Sequence, residues 1–574
     1  MSRGRGAAND GPLTLVVGDD ALAISTAAEI GRQPGHRVTI IAPLGEEFAK
    51  AAAAVGADFV AGRADGPEAL ERASVAAATT IIALSPNDQL NLHAALLARD
   101  ANPRIRIVLR QFNRTLAHKI EQNLPDCVVL SLAWHSAASY AATALDPSCF
   151  HGLQFPEPHG PLTGFVERIA RRDELASRNV TEVEAILGAR LVAINGDTVF
   201  DREAAIPAGA RLCLYGTIER LMGSAPRIGS AAQPVPGDVI RVRRPPTRWR
   251  FVRVNRYLWS FAASAFVLFW LGAWHFRVAF NTDWLTAAYF VLATMTTTGY
   301  GDITPDRGNV LDIVMAMILM LSGIVFTGVF IAFAASMLTR AQWVRAQGLR
   351  RIHRRGHIVL CGAGSIGSNV IDLLLGFDKS LVVVEATPEP AMVERARDLG
   401  FDLLTGDASR DDTLDLCNLD AAHSLIALTN FDTLNLEIAL GARARNPNMP
   451  IVLRIADASF AASIARHFDF RTTYSAAALA APAFAGLARM PGARGRITFG
   501  GREFGIAEYR LDGALPQDAI AIAVARDRGL ALVHDFVGLE PGDQVLVLLP
   551  LVASDRDAVA LPEPQGNAVS PAIS

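Results

Sequence analysis

The sequence predicts a multidomain chain of two α/β Rossmann-like units, each with a small α+β C-lobe, and an all-α membrane segment of two helices. Three observations predict it. Two long uncharged runs stand mid-chain, a glycine-rich turn between strands opens the second half, and the first half repeats the second at a fixed offset. The chain has 574 residues, 51% of them hydrophobic and 19% charged, with a formal net charge of −3. At roughly 100–200 residues per domain, that length holds several domains. The composition excludes a disordered chain, and the near-neutral balance gives no global field for nucleic acid. Five scattered cysteines, without CxxC or metal-ligand spacing, read as reduced, buried thiols. The polar start, MSRGRGAAND, is not the pattern of a signal peptide.

The first uncharged run fills residues 257–276, between Arg256 and Arg277; the second fills 313–339, between Asp312 and Arg340. A helix needs about 20 apolar residues to cross the hydrocarbon core, so both are expected to span it. Five of the seven tryptophans (Trp249, Trp259, Trp270, Trp274, Trp284) cluster around the first run, as membrane interfaces favour. Seven arginines lie in 241–256 and six in 340–355. The positive-inside rule then places both flanks, and both termini, on the cytoplasmic side of the cell membrane. The same arginines suit anionic lipid headgroups.

Between the runs stands DWLTAAYFVLATMTTTGYGDITPD, residues 283–306. Asp283 is expected to cap a short apolar helix from Trp284 to about Met295, too short to span. Thr297, Thr298, Gly299, Tyr300, Gly301 and Asp302 follow. A span, a re-entrant half-helix, a Thr-x-Gly-Tyr-Gly loop and another span resemble the pore unit of potassium channels. The resemblance implies that the carbonyls of residues 297–300 and the Thr297 hydroxyl replace the hydration shell of K+. Thr298 stands where the family usually has valine. One chain supplies one filter loop, so a homotetramer is implied. Arg250, Arg253 and Arg256 abut the first run at Arg-x-x-Arg spacing, but no separate voltage-sensor helix precedes it, which speaks against voltage gating. Gly323 and Gly328 interrupt the bulky second run, and either is a gating hinge or a close helix contact; Gly323 is the expected hinge.

Beyond the second run, strand, glycine-rich turn and helix follow from His357 through Gly362, Gly364, Ser365, Ile366 and Gly367. The next strand, from Leu381, ends in Glu385, 18 residues past Gly367. Together these form a dinucleotide fingerprint. The glycines let backbone approach a pyrophosphate at the helix N-terminus, and Glu385 would accept bonds from ribose hydroxyls. Further strands at Ser424–Leu428 and Ile451–Arg454 alternate with helical patterns.

The first half repeats this at an offset of 344. Residues 91–110 align without gaps to 435–454, with 12 of 20 identical, and Arg110 aligns with Arg454. Gly18 matches Gly362, but Asp20 replaces Gly364, Ala23 replaces Gly367, Ile41 replaces Glu385 and Arg63 replaces Asp407. A carboxylate beside the cradle repels a pyrophosphate, so the first copy is expected to be a structural partner. The nucleotide site is expected in the second, at Gly362, Gly364, Ser365, Ile366, Gly367, Glu385, Asp407 and Arg454.

A β-rich segment follows each unit. Rossmann unit plus small lobe resembles the RCK domains (TrkA-N and TrkA-C) that regulate potassium conductance. The expected organisation is a tail at 1–11, RCK lobes at 12–150 and 151–222, a basic linker at 223–256 and the pore at 257–339. A second basic linker at 340–355, RCK lobes at 356–480 and 481–551 and a tail at 552–574 complete it. One regulatory copy precedes the pore, against the common family order.

The leading reading is a potassium channel gated by a nucleotide on the second RCK domain, not an enzyme. The acid at the second strand end favours NAD(H), with ATP or ADP as alternatives; no EF-hand-like loop or acidic cluster suggests calcium. A membrane-anchored NAD-dependent oxidoreductase would need a proton donor, and His357, His423 and His467 carry no supporting motif. A regulatory component without its own pore is opposed by residues 297–302.

Overall fold

The structure, a computed structural model, describes residues 11–43, 45–156, 160–171, 175–224, 248–305, 308–346, 351–512, 515–516, 518–526, 529–533 and 538–551. The expected tails, most of the first basic linker and residues 347–350 of the second lie outside the described residues. The chain forms two compact units, Met1–Val235 with Arg351–Ser574, and Pro236–Arg350.

In the first unit, six short strands (β1 Leu13–Val17, β2 Arg37–Ala42, β3 Asp58–Ala61, β4 Thr80–Ala83, β5 Arg106–Arg110, β6 Cys127–Leu130) form one sheet in the order β3-β2-β1-β4-β5-β6. All pairs are parallel. β1 (LTLVV) is buried along its whole length, as a strand covered on both faces requires. Four antiparallel strands follow (β7 Cys149–Gln154, β8 Leu162–Ile169, β9 Arg190–Ile194, β10 Arg211–Thr217), with a helix at Val180–Leu187.

The second copy repeats the design. Strands β11 Ile358–Cys361, β12 Leu381–Glu385, β13 Asp402–Thr405, β14 Ser424–Ala427, β15 Ile451–Arg454 and β16 Thr473–Tyr474 take the order β13-β12-β11-β14-β15-β16. A five-stranded lobe completes it (β17 Ala493–Phe499, β18 Arg502–Arg510, β19 Ile520–Arg526, β20 Gly529–Leu532, β21 Gln544–Leu551). In this doubly wound order the strand sequence reverses between β1 and β4, and between β11 and β14. Ligands bind at the carboxyl ends of the strands beside such a reversal.

The copies pack on each other reciprocally. Helix Leu132–Leu145 of the first lies on Ser365–Leu374 of the second, and helix Ala476–Leu487 of the second lies on Ala21–Gly31 of the first. Both crossing helices are alanine-rich and largely buried, which lets them approach closely. Tyr140 Oη donates to the carbonyl of Tyr474 at 3.2 Å across this seam. The two small sheets share a core of Phe165, Tyr215, Phe499, Ile506 and Leu548. The expected lobe boundaries at 150/151 and 480/481 are corrected here. The first falls inside β7 and the second inside helix Ala476–Leu487, because neither element stops at the edge of the doubly wound sheet.

The second unit has three helices, Arg248–Ala279, Trp284–Met295 and Val310–Ala346. Both uncharged runs lie inside the long ones. Among the described residues, Val310–Ala332 is long and apolar enough to cross a membrane, and the apolar part of the first helix, Ala263–Ala279, is shorter. Ala273, Phe276, Phe290, Val291, Ala316 and Leu319 form the shared core.

Candidate functional site

The loop after the short helix is built from that helix outward. Asp283 caps its start, accepting from the N–H groups of Leu285 and Thr286 at 3.0 and 3.3 Å. At its end, the Thr298 and Gly299 N–H groups both donate to the Ala293 carbonyl, at 3.0 and 3.1 Å. Thr297, Gly299 and Gly301 then take left-handed backbone, with φ of 59°, 50° and 76°. Glycine adopts this freely. For the β-branched Thr297 such backbone costs about 1–3 kcal/mol and persists only where its surroundings impose it. The sequence identified the two glycines; nothing in it marked Thr297 for left-handed backbone.

One side chain, Tyr289, braces the loop through two contacts. Tyr289 Oη donates to Asp302 at 2.9 Å, and the Tyr289 ring stacks on Tyr300, centroids 6.4 Å apart. The carbonyls of residues 297–300 accept no hydrogen bond from the described residues. Gly323 is a point of contact: a Cβ there would sit 2.0 Å from the Met295 carbonyl oxygen, while one on Gly328 meets open space. The long helix runs unbroken through both.

In the first unit, the glycine turn of the second copy follows the end of β11. Gly362 has φ 96°, and a Cβ on it would press on the Thr429 nitrogen at 2.9 Å. A Cβ on Gly367 would lie 2.1 Å from the Gly362 oxygen, so helix and turn pack backbone to backbone. Gly364 differs, because a Cβ there meets nothing. It precedes helix Ser365–Leu374, which has no side-chain cap. The first-turn N–H groups of Ser365 and Ile366 therefore have no capping side chain, while the Ile366 side chain is buried in the core.

Glu385 is engaged within the chain. One oxygen accepts from the Ala363 N–H of the glycine turn at 2.7 Å, the other from the Ala386 N–H at 3.0 Å. The carboxylate expected to hold a ribose thus also fixes the turn. Asp407, at the end of β13, is exposed and accepts from the backbone and hydroxyl of Ser409. Arg454, at the end of β15, reaches the loop after β14, donating to the Thr429 carbonyl and Asn430 Oδ1 at 3.2 and 3.0 Å. Bare N–H groups and an arginine held only by neutral acceptors suit an anionic ligand.

The first copy is arranged differently. Asp20 caps helix Ala21–Gly31, accepting from Leu22 and Ala23 N–H at 3.1 and 3.2 Å. Its other oxygen pairs with Arg110 at 2.6 Å. A cleft of about 190 Å³ beside it is lined by Gly18, Asp19, Ile41, Arg63, Ser85 and Asn87 among others.

Sequence reading missed Asn91 and Asn435, both fully buried. Asn435 donates to the Thr429 and Arg454 carbonyls, and Asn91 to those of Ser85 and Arg110, tying each arginine strand to the loop beside the cleft. Their identity within the aligned segments was the available signal. The histidines are spoken for. His357 Nε2 meets the Cys417 carbonyl and His423 Nε2 the Leu145 carbonyl, and burial lowers the pKa of both. All five cysteines are free and buried, with burial pushing Cys127 and Cys417 up to about 12.

Known families match both units. The TrkA-N domain model matches residues 14–130 and 358–471, and the ion channel model matches 257–340. The chain is 26% identical over 177 residues to potassium channel protein 1 of Methanocaldococcus jannaschii, covering 30% of this chain and 53% of that one. It is 26% identical over 215 residues to the voltage-gated potassium channel Kch of Escherichia coli, covering 35% and 50%. The chain thus spans about half the length of these two relatives. A solved GsuK channel bound to NAD aligns with 94% of this chain and 77% of its own, at 13% identity and a TM-score of 0.48.

Proposed function

We propose, from the premise that the chain is homologous to potassium channel proteins carrying RCK domains, that it is a nucleotide-gated potassium channel. The observation that carries this is the Thr297–Asp302 loop. Its alternate residues are left-handed, its carbonyls at 297–300 accept no hydrogen bond from the described residues, and its far end is braced by Tyr289. Irregular backbone at membrane depth is tolerated where it lines a pore, and such carbonyls can replace the hydration shell of K+. One loop per chain requires four chains around the axis, hence a homotetramer in the cell membrane. The arginine-rich flanks keep both halves cytoplasmic.

The second RCK copy is the proposed sensor. Ser365 and Ile366 N–H groups with Arg454 would hold the phosphates, and Glu385 and Asp407 lie at the adjacent strand ends for the ribose side. A carboxylate at Glu385 repels a 2′-phosphate, which favours NAD(H), ATP or ADP over NADP. Binding biases the gate by its differential affinity for two conformations, carried through residues 340–355 to the second span. The chain is not an enzyme on this reading, since its histidines near the sheet are bonded to backbone carbonyls.

The test is potassium flux in vesicles. Changing Tyr300 and Gly301 together to alanine should abolish selective K+ flux while the tetramer survives on gel filtration. Selective flux in that variant would remove the filter assignment, and NADH turnover by the wild type would restore the oxidoreductase.

A further inference from the structure

We propose that Asp20 is a built-in substitute for a ligand phosphate, which occupies the anion position beside the first cleft and limits each chain to one nucleotide. This rests on the reading of the second cleft as the nucleotide site. The two clefts are the same place in the repeat, so each difference between them can be compared directly.

In the second copy, the helix after the glycine turn starts at Gly364 with no side-chain cap. In the first, an anion already sits at the equivalent point. One Asp20 oxygen takes the Leu22 and Ala23 N–H groups, and the other takes Arg110 at 2.6 Å. These partners correspond to the helix N–H groups and Arg454 of the second copy. A carboxylate at a helix N-terminus satisfies the same orphan donors and the same end of the helix dipole as a phosphate does.

The remaining cation is matched too. Arg63, which stands where the second copy has Asp407, pairs with Asp65 at 2.7 Å. Arg110 and Arg63 therefore each have a carboxylate partner within the chain, and Arg454 has none among the described residues. Asp20 and Arg110 are largely shielded, with 28% and 20% of their side chains exposed, so solvent competes weakly for the pair. A second anion entering this cleft would have to displace a tethered carboxylate.

The experiment counts bound pyrophosphate, which needs no ribose contact, by equilibrium dialysis on the full chain in detergent. Asp20→Gly, which copies Gly364, should bind one more equivalent per chain than wild type. Asp20→Gly with Arg110→Ala should fall back to the wild-type number. Equal counts for wild type and Asp20→Gly overturn the proposal, as does an extra equivalent that survives the loss of Arg110. Should Asp20→Gly fail to fold, Asp20→Ser keeps a helix-capping oxygen without the charge and is read in the same way. A wild type that binds none would end the nucleotide reading of the second cleft, while the increment would still decide the role of Asp20.

Discussion

The two Rossmann units have the same strand order and the same buried asparagine at the same place. Yet one central helix begins with a carboxylate paired to arginine, and the other begins with bare backbone. The shared features fill the sheet and hold the arginine strand; the differing ones line the cleft. A duplicated domain can thus keep its core, where a changed volume is costly, while four positions in the turn and at two strand ends differ in size and charge. The seam between the copies is asymmetric as well. His135 and His151 of the first copy stand where the second has Leu479 and Gly495. Both rings approach Gly495 across the seam, and a Cβ there would lie 3.6 Å from His151 and 3.9 Å from His135.

The largest effect expected from that comparison is with pH. Burial lowers His135 to about 4, with Arg494 beside it acting the same way, and burial lowers His151 to about 3, helped by His135. An unfolded histidine titrates near 6.5, so the unfolded chain binds the extra protons. Stability is full above about pH 6.5 and falls as the pH drops toward 4 and then 3. At pH 5 the loss is roughly 2 kcal/mol for each histidine. Urea unfolding of the full chain at pH 7 and pH 5 measures it. His135→Leu, which installs the second copy's residue, should shrink the difference by roughly 2 kcal/mol; an unchanged difference would mean the seam does not sense protons.

Next in size is Glu385→Ala. It removes a charged acceptor from the Ala363 N–H and from the proposed ribose, at about 1.5–3 kcal/mol. Labelled ADP should bind about ten- to a hundredfold more weakly. Ile41→Glu in the first copy should give no ADP binding while Asp20 remains, and binding there would blur the division between the clefts.

The smallest effect concerns the helix after the fourth strand. Asn87 caps it in the first copy, accepting from Gln89 and Leu90 N–H, whereas Phe431 stands there uncapped in the second. Phe431→Asn should raise the unfolding free energy by about 0.5–1 kcal/mol. A loss of stability would show that the exposed Phe431 ring is covered in the assembled protein.

Much of this architecture was legible in the residues. Uninterrupted apolar runs named the buried strands, the offset of 344 named the duplication, and Asp283 before WLTAAYFVLATM named the short helix that the structure places at Trp284–Met295. These are local signals, because strand burial, helix capping and span length depend on neighbours within a few turns. The residue types of the cleft were legible too, since the repeat set each position of one copy beside its counterpart in the other.

What the sequence could not hold is who meets whom. Asp20 and Arg110 are 90 residues apart and pair only because β1 and β5 flank β4 in one sheet. Glu385 turned out to brace the glycine turn because β12 lies beside β11. Thr297 takes left-handed backbone against its own preference, and Gly323 reads as a flexible point until the Met295 carbonyl is found against it. His135, His151 and Gly495 meet only through the reciprocal packing of the two copies. Sequence alone determined the elements, the duplication and the inventory of charged groups at each cleft, because those are written in short-range pattern. Tertiary structure alone decided which charges neutralise one another, because an ion pair depends on distance in space, and distance along the chain says nothing about it until the sheet order is fixed.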